Sequence, residues 1–466
     1  MVHVYSLNGI TIAVDGESGC VHVVDVIAGD LLRAFRRPFS LAEALIALNG
    51  RYEESDLRET WAEIDRLRQQ GRLFSLPLPP EQLPPAGKPG QNLKALCLHV
   101  AHDCNMACDY CFASKGAYKT AKQLMPAAVA RQAVDFLAAN SGAKKNIEID
   151  FFGGEPTLNF RVVKDTVAYS RQVAEDTGKH FNFTITTNAT LLDNDLITYI
   201  NENMDNVVIS LDGRPETHDR IRRAASGEGA LDAILPGALR LIRSRGPKSY
   251  FIRGTFTSHN TDFVNDALFL ADAGFSEISI EPVVGRGLAL HLNQSHLPAI
   301  MASYEQLTLA YIDRIKEGRP FKFYHFNVDI YQGPCLAKRA AACGAGDSYL
   351  AVTPEGDLYP CHQFVGETAF RMGNLTSGVD GSGLGERFAR ANIFTKENCR
   401  DCWAKLYCSG GCHANAYFAN RDITQPEELF CAMQKKRLEC ALMIEAWRDN
   451  NGKNLDSDDP TRGVSG

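Results

Sequence analysis

Apolar and polar positions along the first seventy residues change period twice. Two strand-like runs, Val4 to Val14 and Cys20 to Val26, are separated by a turn carrying Asp15, Gly16 and Gly19. Helical spacing follows. Ser40-Leu-Ala-Glu43 is a capping box that opens one helix, and Ser55 to Gln70 places Leu57, Trp61, Ile64 and Leu67 on one helical face. A hairpin with short helices predicts a small winged-helix-like module over 1–80, either a structural cap or a binding module. Leu76-Pro-Leu-Pro-Pro-Glu-Gln-Leu-Pro-Pro-Ala-Gly-Lys-Pro-Gly90 cannot pack as helix or central strand, so it predicts an extended linker.

From about residue 93 strands and helices alternate, the pattern of a parallel sheet with crossover helices. Strands are expected near Ala95–Val100, Ile147–Phe152, Asn182–Thr187, Val207–Leu211, Tyr250–Thr257 and Ile278–Val283. Helical patterns separate them over Ala127–Ala139, Phe160–Ala174, Asp193–Asn201, Leu231–Arg243 and Asp262–Ala273. The fold class predicted is α/β, a partial (β/α)6 TIM-like barrel over 93–290. A bridging region over 291–334 and a cysteine-rich domain over 335–440 follow it. Chemistry in such barrels sits at the carboxyl ends of strands. Residues Cys104 to Cys111, Gly153-Gly154-Glu155, Thr187-Asn188 and Ser210–Asp212 all fall there.

Composition narrows the partners. With Lys+Arg 49 against Asp+Glu 56, the net charge is -7, and no basic field for nucleic acid exists. No apolar stretch approaches the ~18 residues of a membrane span, so no membrane partner is expected. The opening Met-Val-His-Val-Tyr-Ser-Leu-Asn-Gly lacks the basic and apolar blocks of an export signal, so a cytoplasmic location is expected. Fourteen cysteines in a reducing compartment then read as metal ligands or reactive thiols rather than disulfides.

Three of them, Cys104, Cys108 and Cys111, share one short loop after Leu96 to Val100. Three thiolates can hold three irons of a four-iron cluster and leave the fourth open to a small molecule; four would close it. A zinc loop short of one ligand, or plain buried cysteines, is the competing reading. Downstream, Gly153 and Gly154 lack side chains where a ligand would approach the strand edge, Glu155 offers a carboxylate, and Pro156 fixes the turn. Together, the cysteine loop and Ile147-Glu-Ile-Asp-Phe-Phe-Gly-Gly-Glu-Pro156 resemble the radical S-adenosylmethionine (SAM) superfamily.

That resemblance implies that Gly153, Gly154 and Glu155 bind the methionine amino group of SAM. It also implies Asn188, Ser210 and Arg222 as further SAM contacts, with Arg222 on the methionyl carboxylate and Tyr110 flanking the adenine. Asn188 and Ser210 could equally cap strand-to-helix turns. Arg223 adjoins Arg222, and the sequence does not choose between them.

Nine cysteines lie in the last third. Cys343, Gly356, Cys361, then Cys399-x2-Cys402-x5-Cys408-x3-Cys412 and Cys431 resemble a SPASM domain, the twin-cluster extension of radical SAM enzymes that modify peptides and proteins. Spacing alone would also allow a zinc ribbon. The family pattern implies that Cys399, Cys402, Cys408 and Cys431 close one auxiliary cluster and that Cys343, Cys361 and Cys412 hold the other. Its fourth ligand is Cys335 or a substrate thiolate, whose pKa an iron would lower. Three 4Fe-4S clusters and SAM are thus the implied cofactors. Cys20, Cys97 and Cys440 remain as ordinary buried residues.

Over nearly its whole length, including Tyr-Ser-Leu-Asn-Gly and Gly-Cys-Val-His-Val-Val-Asp near the start, the chain resembles the SCIFF maturases. Their first module is a RiPP recognition element that holds the leader of a ribosomal precursor peptide as an added strand, here along the Val4 to Val26 hairpin. The implied reaction is thioether formation from cysteine: a low-potential donor such as flavodoxin or ferredoxin reduces the Cys104/Cys108/Cys111 cluster, SAM is cleaved, and the deoxyadenosyl radical takes a hydrogen from the acceptor residue. A cysteine thiolate then bonds to that carbon radical or its oxidised product, and an auxiliary cluster removes the surplus electron. In sulfatase-maturating relatives an acid follows the cysteine equivalent to Cys361; His362 stands there instead. This counts against formylglycine formation and makes His362 and Cys335 candidates for handling a proton or thiol, with a structural role for His362 equally open. Another SPASM modification, carbon-carbon crosslinking or a sulfatase-maturating type, is the alternative. The tail after Asn450 is expected to be disordered.

Overall fold

The computed structural model describes residues 1–78, 92–285, 290–330, 339–341 and 343–450. Most of the proline-rich linker, Cys335 and the tail after Asn450 lie outside the described residues.

The run expected as one strand from Val4 to Val14 is two strands, β1 (Val2–Leu7) and β2 (Ile10–Asp15). Asn8 and Gly9 both adopt positive φ, 49° and 75°, and turn the chain back within the run. An Asn-Gly pair is the preferred two-residue hairpin turn, and reading hydrophobicity alone passes over it. With β3 (Val21–Val24) these form an antiparallel sheet in the order β1-β2-β3. Helices α1 (Val26–Ala34), α2 (Leu41–Ala47) and α3 (Glu54–Gln69) complete the module. Its core joins Val2 and Ala13 to Leu31, Leu32, Ala44, Leu57 and Ile64. The capping box forms as expected: Ser40 N donates to Glu43 Oε2 at 2.7 Å, and Glu43 N donates to Ser40 Oγ at 3.3 Å.

The central sheet contains β4 (Ala95–His102), β5 (Gln123–Leu124), β6 (Asn146–Gly153), β7 (His180–Thr187), β8 (Asn206–Ser210), β9 (Ser249–Phe256) and β10 (Glu277–Pro282). Apart from the short β5, which pairs antiparallel with β4, neighbours in sequence are parallel neighbours in space, β10-β9-β8-β7-β6-β4. These six long strands start and end within two residues of the expected bounds. Crossovers run through α4 (Ala127–Asn140), α5 (Phe160–Thr177), α6 (Asn194–Asn203), α7 (Pro215–Ile221), α8 (Leu231–Arg243) and α9 (Phe263–Asp272). Only α7 went unexpected; it is two turns long with Pro215 at its start, too short to show a period.

Alternation along the strands separates two environments. On β6, Ile147, Ile149 and Phe151 are fully buried under the helices, whereas Glu148, Asp150 and Phe152 face the barrel interior and are only partly buried. Phe181, Phe183 and Ile185 against Asn182, Thr184 and Thr186 repeat this on β7. The interior is therefore polar rather than packed with branched aliphatics, as suits an occupied space.

The cysteine-rich region extends this same sheet. After α10 (Leu297–Lys316) and the short β11 (Lys322–Phe323), which pairs with β10, strand β12 (Tyr349–Val352) lies parallel to β4 on its other side. Strands β13 (Asp357–Tyr359), β14 (Gly373–Asn374) and β15 (Gly378–Val379) continue antiparallel from it. A helix over Glu428–Asn450 runs past the expected boundary at 440 and packs on α10 and on β1 and β2. Among the described residues no helix is long and apolar enough to cross a membrane.

Candidate functional site

The cysteine loop leaves β4 and is fastened on two sides. Gly154 N donates to Ala101 O at 2.7 Å and Glu155 N to Asp103 O at 2.9 Å, joining its start to the end of β6. Ala107 N donates to Arg223 O and Asp109 N to Ile221 O, joining its middle to the end of α7. Gly153 and Gly154 are required by this fastening. A Cβ on Gly153, at φ +133°, would lie 2.2 Å from Ala101 O, and one on Gly154 would lie 2.0 Å from Asp103 O. The protein's own backbone already excludes a side chain at both positions.

A cavity of about 130 Å³ opens beneath the loop. Cys104, Cys108 and Cys111 line one side, and Gly153, Gly154 and Glu155 another. Tyr110, Asn188, Ser210 and Arg222 complete its wall, so every residue expected to contact SAM borders one space. Burial pushes the Cys104 thiol up to about 12, and Cys108 also upward, so a bound cation would have to draw the protons off.

Glu155 is buried, which raises its pKa, yet its carboxylate is well supported. Oε1 accepts from Thr157 N, Thr157 Oγ1 and Thr187 Oγ1, and Oε2 accepts from Asn188 N at 2.7 Å. Asn188 Oδ1 accepts from Thr190 N in a local turn, while its Nδ2 donates to Asn105 Oδ1 and lies 3.8 Å from Cys104 Sγ.

The arginine choice resolves on geometry. Arg222 is buried, its Nη1 donates to Tyr110 Oη at 2.7 Å, and its Nε is buried without a hydrogen-bond partner beside the cavity. Arg223 is exposed and turns back to Arg220 O. Tyr110 Oη donates in turn to Asp212 Oδ1 at 2.9 Å. Burial raises Asp212 to about 6, against the pull of Arg222. Asp212 closes this chain and was read only as a strand end; its spacing from Tyr110 across 102 residues leaves no trace in the sequence.

A second cavity, about 160 Å³, shares Tyr110, Phe112, Phe152, Ser210 and Arg222 with the first. Two charged residues on adjacent strands, Arg253 and Glu281, enter it paired at 3.1 Å, and neither drew notice in the sequence. His362 forms part of the wall, its ring 4.9 Å from Phe152 and 5.6 Å from Phe112. Burial, aided by Arg253, lowers His362 to about 3, which makes it a weak base at neutral pH.

In the cysteine-rich region, Cys399, Cys402, Cys408 and Cys431 surround a cavity of about 550 Å³. Cys343, Cys361 and Cys412 form a separate group: burial raises the pKa of Cys361, and the charges of Cys412 and Cys343 raise it further. Among the described residues no group of three His, Cys, Asp or Glu converges tightly enough for a single ion. Four thiolates around a cavity of about 550 Å³ are a donor set that fits a four-iron cluster. Cys97 and Cys440 are buried as expected; Cys20 is only partly so.

Residues 98–237 match the radical SAM superfamily, and 343–403 match the SPASM iron-sulfur cluster-binding domain. An uncharacterized protein, MJ0907, of Methanocaldococcus jannaschii is 30% identical over 268 residues, 57% of this chain and 86% of that protein. The chain belongs to the radical SAM superfamily. This radical SAM chain is also 25% identical to a serine-type anaerobic sulfatase-maturating enzyme of Klebsiella aerogenes, over 73% of this chain and 85% of the enzyme. The solved structure of native anSMEcpe with bound AdoMet shares the fold, with a TM-score of 0.62 at 19% identity, over 76% of this chain and 99% of that one. SAM and four-iron clusters are accordingly its cofactors.

Proposed function

We propose that this enzyme forms thioether crosslinks from cysteine in a ribosomally synthesised, cysteine-rich precursor peptide. The observation that carries the reading is the shared wall of the two small cavities: the space expected for SAM opens onto one bordered by His362, the residue directly after Cys361. A substrate held there has the SAM side in front of it and the Cys343/Cys361/Cys412 group behind it. In this reading Cys104, Cys108 and Cys111 hold the SAM cluster, and Cys399, Cys402, Cys408 and Cys431 hold a closed auxiliary one. Cys335 or the substrate thiolate completes the third.

When bound, cluster and SAM supply a carbon-centred radical that removes one hydrogen atom from the substrate. The chain's own residues do the rest. Glu155 and Arg222 orient SAM through its amino and carboxylate groups, and Tyr110 and Asp212 hold Arg222 in place. Arg253 and Glu281 offer a donor and an acceptor to the peptide, and Phe112, Phe152 and His362 keep water from the reacting carbon.

The leader would add to β3, which has no strand partner on its outer edge among the described residues and leaves Val23 48% exposed. The opposite edge strand, β1, is held to the C-terminal helix by Tyr5 Oη donating to Glu439 O. The sulfatase-maturating relative keeps a second SPASM chemistry in view, with His362 against it. Co-expression with a candidate cysteine-rich precursor tests the reading by mass spectrometry. Loss of two hydrogens with a cysteine no longer alkylated supports it, and unchanged thiols with another modification overturn it.

A further inference from the structure

The turn between β2 and β3 rests on residues 403–407, a segment that borders the four-cysteine cavity. Asp15 shapes it, accepting from Glu17 N and Ser18 N through Oδ1 and from Ser75 N through Oδ2. Beyond that turn lies the segment that carries Cys402 and Cys408. Gly16 packs against it so closely that a Cβ would lie 2.7 Å from Trp403 Cα. Tyr407 Oη donates to Gly19 O at 2.5 Å, and the His3 ring stacks on Trp403 at 4.3 Å. Lys405 Nζ donates to Glu17 Oε1 at 2.7 Å and to Arg400 O at 2.8 Å. Both side chains of this pair are buried, Lys405 at 5% and Glu17 at 9% exposure.

The second wall of the cavity is held as well. His3 Nε2 lies 2.9 Å from Glu439 Oε1, and Glu439 and Lys405 both border the cavity that Cys431 and Cys402 line. The first module thus grips two chain segments, remote in sequence, that must come together to present four thiolates to one centre.

We propose that Glu17 and Lys405 are positioning residues for the auxiliary centre, so that loading the four-cysteine pocket and docking the N-terminal module are thermodynamically linked. Metal binding fixes residues 399–408, which completes the surface on which Gly16, Glu17 and Gly19 rest. Docking, in return, spares the ligands part of the ordering they would otherwise undergo on binding. The proposal rests on reading the pocket as a cluster site.

Hydrogen exchange on anaerobically reconstituted full-length protein tests it with Glu17 and Lys405 left in place. Paired Cys399→Ser and Cys431→Ser substitutions should speed exchange over residues 10–24, whereas Cys104→Ser, which empties the other site, should not. Equal exchange in the two variants overturns the linkage. Glu17→Gln and Lys405→Met should each speed iron loss from the pocket to a chelator by at least about tenfold, because each leaves a buried partner without its counter-charge. Lys405→Arg should restore the rate, and the electron paramagnetic resonance signal of that cluster should change in Glu17→Gln. Iron loss and signal unchanged from the parent protein also overturn it. If the parent pocket takes up no iron and sulfide, the cluster reading itself fails, and that result is distinct from a loaded pocket indifferent to Glu17.

Discussion

The two cysteine-lined cavities are built in opposite ways. Cys104, Cys108 and Cys111 sit on one loop whose start is hydrogen-bonded to the end of β6 and whose middle is hydrogen-bonded to the end of α7, so the barrel backbone sets their positions before any metal arrives. Cys399, Cys402, Cys408 and Cys431 come from short helical turns and a long helix, and the surface that holds them together belongs partly to the N-terminal module. One site is local and rigid; the other is assembled. The local site is also the smaller and has one thiolate fewer, which leaves room for a cosubstrate, whereas the assembled one is complete in cysteine.

Removing a ligand should expose that difference most strongly. Cys104→Ala is expected to abolish reductive SAM cleavage, with deoxyadenosine falling at least about a thousandfold, while circular dichroism and the melting profile stay near the parent. Cys399→Ala should retain measurable SAM cleavage but melt at lower temperature, because its site depends on the metal for shape. If both variants lose activity and stability alike, the two sites are not separate in kind.

Gly154→Ala attacks the local site through its backbone. Its Cβ would lie 2.0 Å from Asp103 O, so either the cysteine loop or the end of β6 must move. A loss of about 2–3 kcal/mol in unfolding free energy is expected, together with reduced iron at the SAM loop and unaltered auxiliary spectra. Next in size is the arginine pair. Arg222→Ala should raise the KM for SAM by about 10- to 100-fold, the scale of a charge-assisted hydrogen bond, while Arg223→Ala should leave it unchanged. Equal effects would remove Arg222 from the wall of the cavity.

The same division explains what could be read from the chain. Strands β6 and β7 were legible because they alternate apolar residues toward the helices with more polar ones inward, and the cysteine loop and Gly153-Gly154-Glu155 fall at strand ends where a parallel sheet places its chemistry. Asp212, Arg253 and Glu281 were not, since partners such as Tyr110 and Asp212 meet only after the sheet curls. Lys405 and Glu17 were hidden more deeply: 388 residues separate them, and a lysine ordinarily signals solvent. The Asn8-Gly9 turn was available as a two-residue signal and was outweighed by the apolar run around it.

The smallest effect expected separates the barrel from the assembled half by pH. Asp150 lies on the inner face of β6, where burial and then the charge of Glu148 raise it from 3.8 to about 7, against a hydrogen bond from Thr184. An acid whose folded pKa is raised binds its proton more tightly in the native state. Its contribution is therefore fully present below the unfolded value and is lost as pH rises through the folded one. Between about pH 4 and 7 the barrel should lose stability, read as faster hydrogen exchange in β6 and β7, and Asp150→Asn should flatten that slope. Residues 399–431 should show no matching change from their cysteines, because the Cys431 thiol, raised to about 12 by burial, does not titrate in this window. A slope of equal size in both regions would mean that they unfold as one unit, and the contrast between a prebuilt and an assembled site would then describe geometry without describing stability.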